Sequence, residues 1–126
     1  MSDDTETVET LMARMMAKSF YLIENRLTAD PSEIGPVLKD HLLYMIDLEK
    51  TGQLFLSGPL FDRDDKMTFD GMTIIRAGSF DEAEAIAARD PFVVAGLRKP
   101  VVHRWVVNEG RLSVSVDLSD RSATLD

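Results

Sequence analysis

The sequence contains no cysteine and only two histidines among its 126 residues. Without cysteine the chain can form no disulfide bond, no thiolate nucleophile and no zinc site of the cysteine type. Two histidines are too few for a typical metal cluster, and the sequence has neither a phosphate-binding glycine-rich loop nor a dinucleotide-binding glycine pattern. We therefore expect a protein that uses no metal ion and no other cofactor.

Basic residues and long apolar segments are also scarce. The chain has 14 Lys and Arg against 22 Asp and Glu, and the basic residues are scattered singly. Because nucleic-acid binding needs clustered positive charge, we expect no nucleic-acid partner. No apolar run approaches the roughly 20 residues of a membrane-spanning helix, and the acidic N-terminus is unlike a secretory signal. The expected location is therefore the cytoplasm, with no membrane partner.

The N-terminal segment allows two interpretations. "MSDDTETVET" carries several carboxylates and no basic side chain, which is typical of a solvated tail. Val8, Leu11, Met12 and Met15 nevertheless fall at helical spacing. Residues 1–15 are therefore expected to form an acidic tail or a short extra helix, and residues 16–126 a single domain.

The rest of the chain alternates between strand and helix patterns. Short aromatic and aliphatic runs predict strands at residues 19–24, 53–59, 72–77 and 101–107, with a polar surface connection over 60–71. Helices are predicted at residues 36–50 and 79–90. In the first helix, Pro36 suits the first turn and Gly52 suits the position after the end. In the second helix, Ser79 and Glu82 form a capping box. Asp90 before a proline ends that second helix.

The last part of the chain predicts a hairpin. "VVHRWVV" and "RLSVSVDL" flank Asn-Glu-Gly, which is a turn sequence. In the second segment apolar and polar residues alternate, so one face of that strand is expected to be buried. The apolar members of the alternation are Leu112, Val114, Val116 and Leu118.

The order of the elements predicts an α+β fold. Strand, helix, strand, strand, helix, strand is the split βαβ, ferredoxin-like arrangement, in which both helices cover one face of an antiparallel sheet. The final hairpin strand would be an addition to it. Sheet residues such as Phe20, Leu22, Phe55, Ile74 and Trp105 leave apolar side chains on both faces. We therefore expect a homodimer, or a higher oligomer, formed through the open sheet face.

A histidine interrupts the apolar stripe of the first predicted helix. His41 falls at helical spacing with Val37 and Met45, so it lies on or beside the face that packs on the core. It is either a core or boundary histidine whose nitrogens are satisfied by neighbours, or a proton-transfer residue, since imidazole titrates near neutral pH. Asp40 and Asp47 project away from it, so its own helix offers no orienting carboxylate.

Most of the chain, from about Phe20 to Val107, resembles the YCII-related (YciI-like) family. The resemblance is carried by "KDHLLYMIDLEKTGQLFLSGPL", "GMTIIRAGSFDEAEAIAARDPFVVAGL" and "VVHRWVV". Their marks are His-Leu on a helix, Gly-x-Leu, Gly-Pro, and a capped helix that ends in Asp-Pro-Phe. The resemblance implies a dimeric α+β barrel, in which two ferredoxin-like sheets close face to face.

The resemblance also implies a catalytic dyad of His41 and Asp90. Asp90 would accept from one ring nitrogen, leaving the other nitrogen to face a cleft as a base. Asp90 is equally suited to a turn that ends a helix before proline. The substrate-pocket candidates are Tyr44, Ser57, Gly58, Pro59 and Phe92.

Several candidate residues have a structural interpretation as well as a functional one. Residues 57–59 either line a cleft or simply end a strand before a loop. Ser57 lacks the Gly-x-Ser-x-Gly turn of a nucleophile. His103 alternates with Trp105 and is expected on the dimer face, with Arg104 on the opposite face. Arg76, Arg98 and Arg104 each fit the binding of an acidic ligand or a solvated surface charge.

Two functions follow from these residues and the resemblance. The first is a cofactor-independent enzyme that moves a proton on a small organic acid, lactone or phenolic substrate, because the implied barrel group includes muconolactone-type isomerases and a dehydrochlorinase. The second is a non-catalytic ligand-binding or accessory dimer in which the His-Asp pair is structural. The sequence names no substrate.

Overall fold

The computed structural model describes residues 5–125. The chain forms two compact units. One contains residues 19–106, and the other contains both ends of the chain, described over residues 5–18 and 107–125. The predicted domain boundary near Met16 stays a prediction.

Four strands of the chain form one sheet in the order β2-β3-β1-β4. They are β1 (Lys18–Leu27), β2 (Leu54–Phe61), β3 (Met67–Ile75) and β4 (Arg98–Val107). Both β1 and β2 run antiparallel to β3, with Tyr21 and Leu54 each opposite Ile75. This strand order is that of the ferredoxin-like arrangement. The predicted α+β fold class is therefore confirmed.

Two main helices connect the strands. Helix α2 (Gly35–Lys50) follows a 3-10 turn (Pro31–Glu33), and Gly52 after it has a φ of 78°, which favours glycine. Helix α3 (Phe80–Ala88) begins where the Ser79 side chain accepts from the Glu82 amide, at 3.1 Å. The Glu82 carboxylate accepts from the amide of Gly78, at 2.7 Å, instead of completing the predicted box with Ser79.

The second predicted helix ends two residues earlier than expected. Asp90 has φ −59° and ψ 126°, which leaves the helical region, and a separate short helix, α4 (Pro91–Val94), starts directly after it. Proline disfavours helical geometry in the residue before it and suits the first turn of a helix. Asp90 therefore lies between two helices.

The core lies between the sheet and the two main helices. Tyr21, Ile23 and Ile75 of the sheet pack against Leu48 of α2 and Ile86 of α3. Both helices therefore cover the same sheet face, as the fold requires. A second, smaller cluster joins Ile34, Phe92 and Leu97.

The prediction of a surface connection over residues 60–71 is wrong. Strand β2 continues to Phe61 and β3 begins at Met67, so the two strands form a hairpin. Asp62 makes the turn tight, because its carboxylate accepts from the amides of Asp64 and Lys66 at 2.8 and 3.0 Å. The polar residues concentrate at this turn and leave enough strand on either side of it to pair.

The predicted hairpin between residues 101–107 and 111–118 is also wrong. The alternating segment does form a strand, β5 (Val114–Asp117), but it pairs with β6 (Ser122–Leu125). The turn lies downstream, where Asp120 accepts from the Ser122 amide at 2.9 Å and Arg121 has a φ of 58°. The apolar side chains expected to be buried are exposed in the chain: Leu112, Val114, Val116 and Leu118.

A short helix, α1 (Val8–Ala13), occupies part of the N-terminal segment for which the sequence left a tail or a helix open. The Thr7 side chain caps it by accepting from the amide of Thr10, at 3.1 Å. No helix within residues 5–125 combines the length and the apolar character needed to cross a bilayer.

Candidate active site

His41 and Asp90 form a buried pair, although they lie 49 positions apart in the sequence. The distance between His41 Nδ1 and Asp90 Oδ1 is 2.8 Å. The two residues are only 9% and 1% exposed. An ionised carboxylate only accepts hydrogen bonds, so Nδ1 is the donor and Nε2 is the nitrogen left without a proton in the neutral ring. The structure thus brings together the two residues that the resemblance pairs.

Asp90 is held in place by the start of α4. The same Oδ1 atom accepts from the amide of Phe92 at 3.0 Å, which makes Asp90 the N-cap of that helix. Its own amide donates to the carbonyl of Ala87 at 3.3 Å. Asp90 therefore ends one helix turn and also contacts the histidine, and its catalytic role stays a prediction.

The other carboxylate oxygen of Asp90 faces a different environment. Oδ2 is buried and has no hydrogen-bond partner within residues 5–125, and the same is true of Asn25 Oδ1. Both residues line a small cavity of about 10 Å³. This volume is near the lower limit for one water molecule, which can donate to two acceptors.

His41 lines a large cavity of about 630 Å³ between α2 and the β2–β3 hairpin. Its ring stacks on Phe92, with ring centroids 4.3 Å apart and planes inclined by 20°. Much of the remaining wall is apolar and includes Leu42, Met45 and Phe55. The size and the apolar lining are typical of sites that bind small organic molecules.

Ser57, Gly58 and Pro59 of β2 all line this cavity, as does Phe92. The Ser57 hydroxyl lies 2.9 Å from the hydroxyl of Thr73, which also lines the cavity. The two hydroxyls hydrogen-bond to each other and place polar atoms in a wall that is otherwise largely apolar.

Tyr44 lies outside the cavity and packs against the core. Its hydroxyl donates to the carbonyl of Ile86 at 2.7 Å, and burial raises the pKa of Tyr44 against the opposing effect of Arg89. The position of Tyr44 gives no support to the prediction that it lines the substrate pocket. Its hydrogen bond instead ties α2 to α3.

Arg98 is the one of the three candidate arginines that lines the cavity. Its Nε donates to the carbonyl of Phe69 at 2.9 Å, and its Cζ lies 4.6 Å from the centre of the Phe92 ring. Burial lowers the pKa of Arg98, while the charges of Asp90 and Asp70 act in the opposite direction. The sequence left Arg98 undecided, although its place at the start of β4, a few residues after α4, brings it to the Asp90 end of the site.

The other two arginines lie elsewhere, as does His103. Arg76 lies over the rings of Phe20 and Phe55, and Arg104 donates from Nε to the Ser19 hydroxyl at 2.7 Å. His103 Nε2 lies 3.7 Å from a carboxylate oxygen of Glu24. Within the described part of the chain, no three His, Asp or Glu side chains come together as a metal site.

These contacts can be compared with known proteins. The sequence profile of the YCII-related domain matches residues 6–106, which include the His41–Asp90 pair and the whole cavity. The chain belongs to the YCII-related family. No curated protein matches the sequence.

Among solved structures, this YCII-related chain is similar to 5-chloro-2-hydroxyhydroquinone dehydrochlorinase (TftG) from Burkholderia phenoliruptrix AC1100 in complex with 2,5-dihydroxybenzoquinone. The two are 27% identical, with a TM-score of 0.58. The match covers 68% of this chain and 92% of the other. The similarity therefore extends over nearly all of a small-molecule enzyme.

Proposed function

We propose that this protein is a cytoplasmic, cofactor-independent enzyme that transfers a proton on a small organic acid, lactone or phenolic substrate. The observation that carries this proposal is the 2.8 Å hydrogen bond between His41 and Asp90 in the wall of a cavity of about 630 Å³. A histidine oriented by a carboxylate beside a pocket is the usual arrangement of a general base.

The chemistry follows from the two ring nitrogens. Asp90 accepts from Nδ1 of His41, so Nε2 is the atom that takes a proton from a C–H or O–H group of the substrate. The carboxylate stabilises the imidazolium that forms, while the electron pair stays on the substrate. That anion then takes the proton back at another atom, which is isomerisation, or expels a leaving group such as chloride, which is elimination. After elimination, His41 releases its proton to the solvent and becomes a base again.

The cavity supports the same class of reaction. Apolar walls exclude water, so a substrate anion formed there is protected from protonation by the solvent. The dehydrochlorinase to which this chain is similar was solved with a dihydroxybenzoquinone, a planar ring compound. The flat ring of Phe92 beside His41 suits a ligand of that shape.

Proton NMR in D₂O tests the proposal on the wild-type protein. Candidate compounds are chlorinated hydroquinones, unsaturated lactones and small 2-oxo acids. We expect at least one of these classes to lose a C–H signal by solvent exchange, or to give product signals, when protein is added. Exchange at the same rate with heat-denatured protein as with native protein would contradict the proposal.

A ligand-binding or accessory function is the second candidate. It is favoured by the hydrogen bond from the Phe92 amide to Asp90 Oδ1, because that bond gives the carboxylate a structural task. The NMR experiment separates the two functions. If the signals of compounds in every class only broaden or shift, with no exchange and no product, the result would favour this second function.

We also propose that the active form is a homodimer joined through the second sheet face, the face opposite α2 and α3. Ile75 points into the core, so its neighbour Ile74 points to the second face, together with its cross-strand partners Leu22 and Leu56. Trp105 lies on the same face. Glu24 is two residues from Leu22 and so shares its face, His103 contacts Glu24, and Trp105 is two residues from His103. Leu56 and Trp105 are 52% and 41% exposed in the single chain, and a second copy would bury them.

Light scattering on the eluting protein tests the dimer. The expected mass is twice the 14.1 kDa of the chain, and Trp105→Lys is expected to shift it towards the single-chain mass, since the interface would bury an unpaired charge. Val94→Lys is the control, because Val94 is exposed on α4 and away from the second sheet face. A single-chain mass for the wild type, or a dimer unchanged by Trp105→Lys, would rule the interface out.

A further inference from the structure

The proposed proton transfer gives no role to Arg98, a charged residue of the cavity wall. Arg98 lines the cavity near His41, and both residues lie against the ring of Phe92. Arg98 forms no ion pair with any residue in the described range 5–125. The charges of Asp90 and Asp70 offset part of the cost of burying Arg98, but neither carboxylate pairs with it directly, so its guanidinium remains open to an anionic partner.

The guanidinium of Arg98 is held in one place. Its Nε donates to the carbonyl of Phe69, and its plane is supported by the Phe92 ring, 4.6 Å from Cζ. Its Nη1 lies above Gly71 of β3, where a Cβ atom would be only 3.3 Å away. Glycine in a strand often marks such a close approach. Arg98 is therefore a fixed group and not a mobile surface side chain.

The guanidinium of Arg98 favours an anion over a neutral group. Arginine keeps its charge in proteins, and its remaining N–H groups form a planar fork that matches a carboxylate. The whole chain carries a formal net charge of −8, so its overall field repels anions. Selectivity for an anion must therefore come from the local contact with Arg98.

We propose that Arg98 binds the acidic group of the substrate, and that the substrate is a planar ring compound carrying a carboxylate or an ionised phenol. This inference rests on the proposed function, because it names the substrate class of the same cavity. The anionic group lies on the guanidinium fork and the ring lies in the apolar part of the cavity. The neutral lactones within the broader proposal become poor ligands.

Calorimetric binding of benzoate and its neutral analogue benzamide tests this inference. Charge-assisted hydrogen bonds favour the anion by on the order of tenfold to a hundredfold in Kd, so the wild type should prefer benzoate to that extent. Arg98→Gln should abolish the preference by weakening benzoate alone. Arg98→Lys should retain part of it, because the charge stays and the fork is lost.

Gly71→Ala provides an independent variant in which Arg98 is retained. The added methyl group displaces Nη1, so we expect benzoate binding to weaken severalfold while benzamide binding stays unchanged. Arg63→Gln is the matched control, since it removes one positive charge from the exposed β2–β3 turn. It should leave both affinities unchanged.

Equal affinity of the wild type for benzoate and benzamide would overturn the inference, and so would a benzoate preference that is unchanged in either Arg98→Gln or Gly71→Ala. Failure of the proposed function gives a different result. In that case, the anion preference and its dependence on Arg98 remain, while no compound undergoes proton exchange.

Discussion

His41→Gln lowers turnover of an accepted substrate by about 10² to 10⁴-fold, the usual contribution of a general base. Glutamine keeps the size and polarity of the side chain but cannot accept and return a proton at neutral pH. Substrate affinity should change much less than turnover, because the walls of the cavity remain. The measurement is the initial rate at saturating substrate, with circular dichroism to verify that the variant is folded.

Asp40→Asn is the control for this prediction. Asp40 is exposed on the same helix, next to His41 in sequence, and the change removes one carboxylate without touching the pair. Its turnover should equal that of the wild type. Full turnover in folded His41→Gln protein would rule out His41 as the base and would leave the pair with a structural function.

Phe92→Ala lowers the free energy of unfolding by about 3–5 kcal/mol, the range found when a large buried aromatic side chain is truncated. Phe92 is 1% exposed and packs with Ile34 and Leu97. Its ring also supports His41 and Arg98, so the variant should lose ligand binding as well as stability. Urea denaturation followed by circular dichroism measures the change.

Val94→Ala is the matched control on the same short helix. Val94 is 74% exposed, so the substitution should change the free energy of unfolding by less than about 0.5 kcal/mol. A loss below about 1 kcal/mol for Phe92→Ala would show that the Phe92 cluster is not part of the cooperative core.

The order of strands and helices could be predicted from local patterns, because each element carries its own periodicity and its own end signals. Pairing between strands could not be predicted as well. The segment around Val114 was correctly predicted as a strand, but its partner is set by the Asp120 turn that follows it, not by the Asn-Glu-Gly before it. Alternation identifies a strand but does not identify its neighbour.

The candidate site shows a similar division. His41 stands out in its helix because it is polar on an apolar stripe, but Asp90 lies 49 positions away and only the family resemblance linked the two. The prediction that Tyr44 lines the pocket gains no support, because α2 has two apolar sides. Residues such as Leu38 and Leu42 line the cavity, whereas Tyr44 faces the core, and helical spacing alone does not tell the two sides apart.

Arg98 was left undecided for a related reason. Nothing in its sequence neighbourhood distinguishes it from Arg76 or Arg104, and its place in the cavity depends on the carbonyl of Phe69 and the open space at Gly71. Both contacts come from β3, which is distant from Arg98 in the sequence. A charged residue becomes informative only when its burial is known.

The single oxygen that Asp90 shares between His41 and the Phe92 amide makes the pair part of the folded framework. Folding the chain already fixes both side chains, so a ligand meets an ordered pair and does not have to immobilise it. Ordering a flexible side chain on binding typically costs about 0.5–1.5 kcal/mol. In the proposed reaction, this preorganisation would allow even a small molecule with few contacts to be held with its reacting atom beside Nε2.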